Sequence, residues 1–432
     1  MWAIYRKEVQ QFLNSLIAYV VIGVFLTGIG LLMWVFPETS VIDYGYAQLD
    51  TLFSLGPFVY MFLIPAITMR MLAEERKAGT LELLLTRPLS DFQIIFGKYM
   101  AAFSLVVFSV LPTLVYYYSV YQLGNPTGNL DTPGIIGSYV GLILLGGVFT
   151  SIGQFASALS ENQIVAFILA VFFCFFMFTG ISALSDIFTG QTALYIDEMS
   201  LSFHYDAMSR GLIDSRNLVY FLSTITVVLL LTSLKFAARR MSFKPHRVKA
   251  IRVFALGLFI VFAVNVVAAN FFWRFDLTEE KRYTLQDPTK ELLGKLNQPL
   301  YVEILLGTDL PTEFQRFQKS IVETVEELGI YSSQPIYYSV NDPGAADTES
   351  ERNKNYQAWI DAGLSPTRIF DNDNGTDVQK LIFPYVVLRY GDRTSSVLLL
   401  KGNQGASFEM KLNQSLEGIE YELATGIQRI AD

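Results

Sequence analysis

The chain has 432 residues, 52% of them hydrophobic and only 17% charged, with a mean hydropathy of +0.36 and a net charge of −8. A soluble fold cannot hide so much apolar surface, so the composition is that of a polytopic membrane protein, and the acidic balance argues against nucleic acid as a partner. One cysteine, Cys174, and two histidines, His204 and His246, leave no intrachain disulfide, zinc site or CxxC redox pair.

Residues 1–13 place Arg6, Lys7 and Glu8 among Trp2, Ile4, Tyr5 and Phe12, with no small-residue cleavage site. They read as an amphipathic helix in the membrane interface rather than a cleaved signal peptide. Seven stretches are long and apolar enough to cross a bilayer: 16–36, 52–72, 98–120, 135–159, 163–184, 218–235 and 251–272. The fourth is rich in glycine (Gly137, Gly141, Gly146, Gly147, Gly153), which predicts a helix packed inside the bundle.

Basic residues set the orientation. The loop after span two holds Arg70, Arg76, Lys77, Arg87 and Lys98; the loop after span six holds Lys235, Arg239, Arg240, Lys244, Arg247, Lys249 and Arg252. The loops at 36–51 and 121–134 hold none, and only Arg210 and Arg216 lie between spans five and six. The N-terminus is therefore expected inside and everything after span seven outside.

From Trp273 charge returns and apolar runs shorten. A strand at 301–306, a helix at 313–328, a strand at 336–340 ended by Asn341-Asp342-Pro343-Gly344, a helix at 351–362, a hairpin at 385–390 and 395–400 and a helix at 412–430 follow. The order β-α-β-α-β-β-α predicts one compact α/β domain. It resembles a thioredoxin-like topology, without the CxxC that redox chemistry needs. Asp432 directly follows a finished amphipathic helix, so the natural chain is expected to be longer.

The sequence has no GxxxxGK[ST] phosphate loop and, at mid-membrane depth, essentially no ionisable residue that could relay protons or sodium. Gln154 and Asn265 are the most polar mid-span residues and read as helix–helix hydrogen-bond partners. A transporter with neither motor nor relay must take energy from a partner. The segment 73–90 suits that need: Glu74, Glu75, Arg76 and Lys77 form a charged rim, Gly79 permits a turn, Thr80 can cap a new helix, and Leu81, Leu83, Leu84 and Leu85 can lie on the membrane or in a partner's groove before Pro88. An ordinary interfacial helix with positive-inside charges is the alternative.

EERKAGTLELLLTRPLS resembles the coupling-helix region of ABC-2-type permeases, with Glu74, Glu75, Arg76, Gly79, Thr80, Glu82 and Leu83 in the family's pattern. Residues 1–242 follow that plan, with the short inner loop Ser160-Glu161-Asn162-Gln163 and an outer amphipathic stretch at 195–217. The segment FHYDAMSRGLID (203–214) resembles the gliding-motility permease (GldF-like), although copper-maturation permeases share much of it. Span seven followed by RFDLTEEKRYTL (274–285) resembles the start of a GldG-like auxiliary subunit, here fused through a linker at 243–272 to an extracytoplasmic domain at 273–432; GldG-like proteins usually run on to a further span.

The resemblance implies a non-enzymatic permease subunit without a cofactor of its own. A separate cytoplasmic ABC ATPase would bind ATP and Mg and push on Arg6, Lys7 and Glu8, on Glu74, Glu75, Arg76, Gly79, Thr80, Leu81, Glu82 and Leu83, and on Ser160, Glu161 and Asn162. It also implies a homodimer in the lipid of the bacterial inner membrane, with the N-terminus cytoplasmic and the C-terminal domain periplasmic beside an extracytoplasmic protein partner. The alternative function is a scaffold that carries force or signal from the ATPase to that partner without moving solute. Of the remaining features, His204 is expected on a helix surface, Tyr116, Tyr117 and Tyr118 as interfacial anchors, the aromatic run 172–178 against lipid or helices, and the calcium-like run 371–377 in a solvated loop.

Overall fold

The computed structural model describes the chain except residues 38, 45–46, 86–88, 186, 188–195, 210, 241–243, 272, 278–283, 308–309, 311, 347, 374–375, 402–407 and 432. It divides into two compact units, Met1–Arg282 and Tyr283–Asp432.

The first unit is helical. Helix α1 (Trp2–Leu13) is followed by the apolar α2 (Leu16–Trp34) and the short α3 (Val41–Tyr44). α1 meets the helix over Ala18–Trp34 at 66°, so the amphipathic segment folds away from the first span as expected. Then come α4 (Asp50–Thr68), α5 (Arg70–Lys77), α6 (Thr80–Leu85), α7 (Asp91–Val110), α8 (Leu114–Leu123), α9 (Thr132–Leu159), α10 (Gln163–Phe175) and α11 (Ile181–Ser185). α12 (Leu201–Ser209), strand β1 (Leu212–Asp214), α13 (Ser215–Arg240), α14 (Lys244–Asn270) and strand β2 (Arg274–Asp276) complete the unit. Six helical stretches among the described residues are long and apolar enough to cross a membrane, and the bent pair at the N-terminus makes a seventh.

Helix α9 is the spine, packed against α4, α7, α10, α12 and α13. Its glycines allow this. A Cβ on Gly141 would press Met208, one on Gly146 would press Val106, and one on Gly153 would strike Thr68. The mid-span polar residues serve as cross-helix links: Gln154 donates to the Ile95 carbonyl at 2.9 Å, and Asn265 to Ser223 Oγ at 2.7 Å. Span five carries one turn of π-helix at Phe176–Gly180. Ala166, Ala170, Cys174 and Phe178 face inward, while Phe172, Phe175 and Phe176 face outward.

Antiparallel pairing of β1 with β2 joins the segment before α13 to the segment after α14 (Leu212↔Asp276, Asp214↔Arg274). Ser215 N donates to the Trp273 carbonyl and Trp273 N to Ser215 Oγ, both at 2.9 Å. Gly211, at φ +86°, leads into this clip, and a Cβ there would lie 2.5 Å from Gly134 Cα at the start of α9. His204 is not a bare helix-surface residue. Its ring stacks on Tyr220 at 3.8 Å, and its nitrogens lie 2.8 Å from Asn217 Oδ1 and 2.9 Å from the Glu198 carbonyl. The position was misread because both contacts come from outside its own helix.

The second unit contains α15 (Asp287–Gly294), β3 (Leu300–Ile304), α16 (Thr312–Tyr331), β4 (Ile336–Val340), α17 (Glu349–Asp361), β5 (Thr367–Asp373), β6 (Thr376–Ile382), β7 (Tyr385–Tyr390), β8 (Arg393–Leu398) and α18 (Phe408–Ala431). Four strands form a sheet in the order β4-β3-β7-β8, with β3 parallel to β4 and the other pairs antiparallel. The apolar stripes of α16 (Phe314, Phe317, Ile321, Val325) and α18 (Leu412, Ile419, Leu423, Ile427) share a core with Leu300, Val302, Ile304, Leu388 and Val397. The run 371–377 is not a loop: β5 and β6 pair as a separate hairpin from Thr367↔Ile382 to Asp373↔Thr376, with 374–375 outside the described residues.

Two outcomes follow. Gly211→Ala puts an ordinary side chain into a left-handed conformation and against Gly134. It is expected to cost about 2 kcal/mol or more, seen as a lower melting temperature. Gly23→Ala, which meets nothing within 4 Å, is the control and should melt like wild type. Burial lowers the His204 pKa, against the opposing pull of Asn217 and Glu198. The unfolded state then holds the extra proton between the lowered value and about 6.5, so stability falls as pH drops through that window. Melting temperatures at pH 7.5 and 5.5 should differ less in His204→Gln than in wild type; an equal decline refutes the assignment.

Candidate functional site

At one end of the first unit the sequence bends twice. α4 runs into α5 at Met69, where the Ser157 hydroxyl of α9 accepts from Leu72 N and Ala73 N at 3.0 Å and donates to the Met69 carbonyl at 2.8 Å. α5 stops at Gly79, whose φ of +69° is left-handed and costs glycine nothing. Ala78 N and Gly79 N close back on the Glu74 and Arg76 carbonyls, and α6 starts at Thr80. α7 then begins with a capping box between Ser90 and Gln93.

Two turns into α7 sits Lys98, an ammonium with 1% side-chain exposure. Its Nζ reaches Glu8 Oε1 of α1 at 2.8 Å, Glu75 Oε1 of α5 at 2.9 Å and the Met71 carbonyl at 3.0 Å. Three acceptors match its three N–H bonds. Lys7 adds contacts to Glu75 at 3.2 Å and Glu8 at 3.6 Å. Burial pulls the Lys7 pKa down, but Glu75 and Glu8 outweigh it and leave the group above its ordinary value. The Arg70 guanidinium stands over the Phe12 ring at 5.5 Å. Beside Lys98 lies a cavity of about 30 Å³, lined by Gln11, Phe12, Arg70 and Glu74 among others. Arg70 Nη2 and Glu75 Oε2, both buried without a protein partner, line the same space, which suits one water.

A second tie joins α5 to the end of α9. Arg76 Nη2 bonds Glu161 Oε1 at 3.0 Å, and Nη1 bonds the Ala158 carbonyl at 2.8 Å, where a cation favours the negative helix end. Asn162 Oδ1 accepts from Ile164 N and caps α10, and Ser160 Oγ accepts from Asn162 N.

The structure thus gathers the described parts of the three segments read from the sequence, 1–13, 73–90 and 160–163, at one end of the bundle, but splits the expected rim. Glu74, Lys77, Gly79 and Thr80 are exposed, as is Arg6 on α1, whereas Glu8, Glu75 and Arg76 turn inward. Leu81 is also turned inward, in the bundle's own core, and Leu84 packs against it, so these two do not form an outward apolar ridge. The Thr80 hydroxyl donates to the Glu75 carbonyl at 3.2 Å instead of capping α6. The side chains of Glu82 and Leu83 and the whole of Pro88 lie outside the described residues. Sequence reasoning missed Lys98 as the node, counting it only as a topological charge. The available signal was a lysine set inside IIFGKYMAAF, which a buried site tolerates only with partners. Ser157 gave no signal.

Residues 36–200 match the ABC-2 family transporter protein family, and residues 279–389 match a domain of unknown function, DUF7088. A search of the curated proteins found no match. The first match spans the elbow and the loop at 160–163. The chain therefore carries an ABC-2 permease-type membrane domain, that of a transmembrane subunit of an ABC transporter, followed by a domain whose family has no assigned function. That family implies a cytoplasmic ABC ATPase as partner and a membrane location.

Removing the Lys98 charge takes the buried partner from two carboxylates and leaves them only the largely exposed Lys7. Lys98→Met is expected to destabilise the protein by about 3–5 kcal/mol. The triple change with Glu8→Gln and Glu75→Gln should recover much of that loss in thermal melts, because it removes the stranded charges as well.

Proposed function

We propose that this chain is the permease subunit of an ATP-driven ABC-2 transporter, and that a separate ATPase works it by pressing on the exposed tip of the elbow, Lys77 to Thr80, together with α1 and the 160–163 loop. The observation that carries this reading is Lys98. One buried cation ties α1, α5 and α7 into a single body, so force on the tip is delivered to the third span. Arg76 extends the same body to α9 through Glu161 and Ala158. The absence of a phosphate-loop motif in the sequence supports leaving hydrolysis, and with it ATP and Mg, to the partner.

The orientation in this reading is N-terminus cytoplasmic in the bacterial inner membrane. The basic-residue asymmetry supports it, and the β1–β2 pairing is consistent with it, because that pairing puts the stretch before α13 and the stretch after α14 at one end. Residues 283–432 are then periplasmic. The strand order β4-β3-β7-β8, with one parallel and two antiparallel pairs, supports a thioredoxin-like arrangement for them. The permease works as a homodimer, and the resemblance at 203–214 and 274–285 supports a gliding-motility type with a fused GldG-like auxiliary part.

One observation favours the second reading, a scaffold that passes force outward. The β1–β2 clip fastens the start of the C-terminal part to Gly211, which is wedged against α9. Reconstitution with the ATPase separates the two: ATP-dependent movement of a solute or lipid supports transport, and hydrolysis tied only to capture of an outer partner supports the scaffold.

Because Glu75 and Arg76 are structural, the coupling test belongs on the exposed tip. Glu74→Ala with Lys77→Ala should lower stimulation of the ATPase about tenfold, a loss of about 1.4 kcal/mol in coupling, with an unchanged melting temperature. Normal stimulation and normal co-purification of the ATPase would refute the assignment.

A further inference from the structure

β4 ends the four-stranded sheet of the second unit, and no described strand pairs on its outer side. Its sequence is Ile336-Tyr337-Tyr338-Ser339-Val340. The Pro335 carbonyl accepts from Leu300 N, and Asn341 N donates to the Ile304 carbonyl, both towards β3. Main-chain groups alternate along a strand, so the N–H and C=O of Ile336 and Val340 turn away from β3, to the sheet's edge. Tyr338, Ser339 and Val340 are all exposed, on both faces of the sheet, so no helix covers that edge.

Sheet edges are ordinarily guarded by lysine, proline or a bulge. β4 has no charged residue, and its register with β3 runs unbroken from Leu300↔Ile336 to Ile304↔Val340. Pro335 lacks its N–H on the side of β3, not on the outer side. Tyr337 stacks on Tyr301 of β3 with 5.2 Å between ring centres, which holds the strand flat against its neighbour. Such an edge accepts another strand, and its sequence selects which one. A two-fold axis through Tyr338 sets β4 antiparallel to a second copy of itself. Ile336 then faces Val340, Tyr338 faces Tyr338, and Tyr337 faces Ser339. The outward N–H and C=O of Ile336 meet those of Val340 in the other copy, in register to exchange hydrogen bonds. The side chains suit each other: branched against branched, ring against ring, large against small. The Tyr338 hydroxyl donates to Glu326 of its own α16 at 2.9 Å. Asp342, the one charged residue between Ser332 and Ala346, falls opposite Gln334, so no like charges meet along the strand.

We propose that the second units of two copies join edge to edge through β4 and make one continuous sheet of twice the four strands each copy holds. The contact rests on the homodimer read above for the membrane part. A pair of such short strands falls well below the roughly 1,200 Å² of a stable interface. Two copies already held together by their membrane parts need far less, because the second contact is intramolecular, at an effective concentration on the order of millimolar.

The test is disulfide formation by the full-length chain in nanodiscs, with its mass measured alongside. Wild type, whose only cysteine, Cys174, is buried, should not link. Tyr338→Cys sets two thiols across the axis at a Cα separation of about 5.5 Å, within disulfide range, and should link into a dimer on mild oxidation. Val340→Cys sets them about 14 Å apart, four residues along the strand, and should link about tenfold more slowly or not at all. Adding Val340→Pro to Tyr338→Cys removes an outward N–H without touching the β3 ladder, and should abolish the link at an unchanged melting temperature. Adding Val340→Lys instead keeps that N–H and guards the edge with charge, and should suppress the link as well. A dimer in which Tyr338→Cys fails to link, or links no faster than Val340→Cys, overturns the inference and leaves the homodimer standing. A monomeric chain overturns both. Linkage that survives both the proline and the lysine variants also overturns it, because chance collision then accounts for the disulfide.

Discussion

A buried ammonium surrounded by oxygen is the constraint on which the working end of this protein depends. Lys98 cannot sit in an apolar bundle without carboxylates, because desolvation of a lone charge there costs several kcal/mol. Glu8 and Glu75 supply them from segments 90 and 23 residues away in sequence. Moving α1 outward takes Glu8 from Lys98 and moving α5 outward takes Glu75 from it, so either movement removes one of the two carboxylates that hold the buried ammonium. The interfacial helix, the elbow and the third span are therefore bound to shift together or not at all. Ser157 and Arg76 fasten the same elbow to α9, the helix against which most of the bundle packs.

The division between inward and outward residues on the elbow gives it two jobs. Glu75, Arg76, Leu81 and Leu84 hold it to the bundle. Glu74 and Lys77 to Thr80 are left to meet something else. At the opposite end of α9, Gly134 and Gly137 accept the close approach of Gly211, and the β1–β2 clip begins one residue later. One rigid helix thus runs from the elbow to the clip. A force applied at its elbow end has a physical route to the β1–β2 clip.

Much of this was legible in the sequence. The spans were readable because each needs only an apolar window, a property of consecutive residues. The bend after Leu13 was readable from the change between a mixed and a purely apolar run. The elbow segments were found through residue types and family resemblance. What could not be read was direction. Glu75 and Arg76 look like Glu74 and Lys77 in composition, and only partners on other helices (Lys98, Lys7 and Glu161) turn them inward. Leu81 fits a groove in a partner as well as it fits its own core, and the choice is tertiary. The β5–β6 hairpin was missed for a different reason. Its strands are polar, yet Asn374-Gly375 between them is a strong hairpin signal that the resemblance to a calcium loop obscured.

The most direct test of the elbow as the point where work enters is site-specific photocrosslinking of the full-length chain together with its partner ATPase. A crosslinker at Ala78, on the exposed tip, should form an adduct with the ATPase, and the yield should change with nucleotide. The same group at Asn129, in the loop at the other end of α9, should form none. An ATPase adduct at Asn129, or none at Ala78 while the two proteins remain associated, would contradict the account.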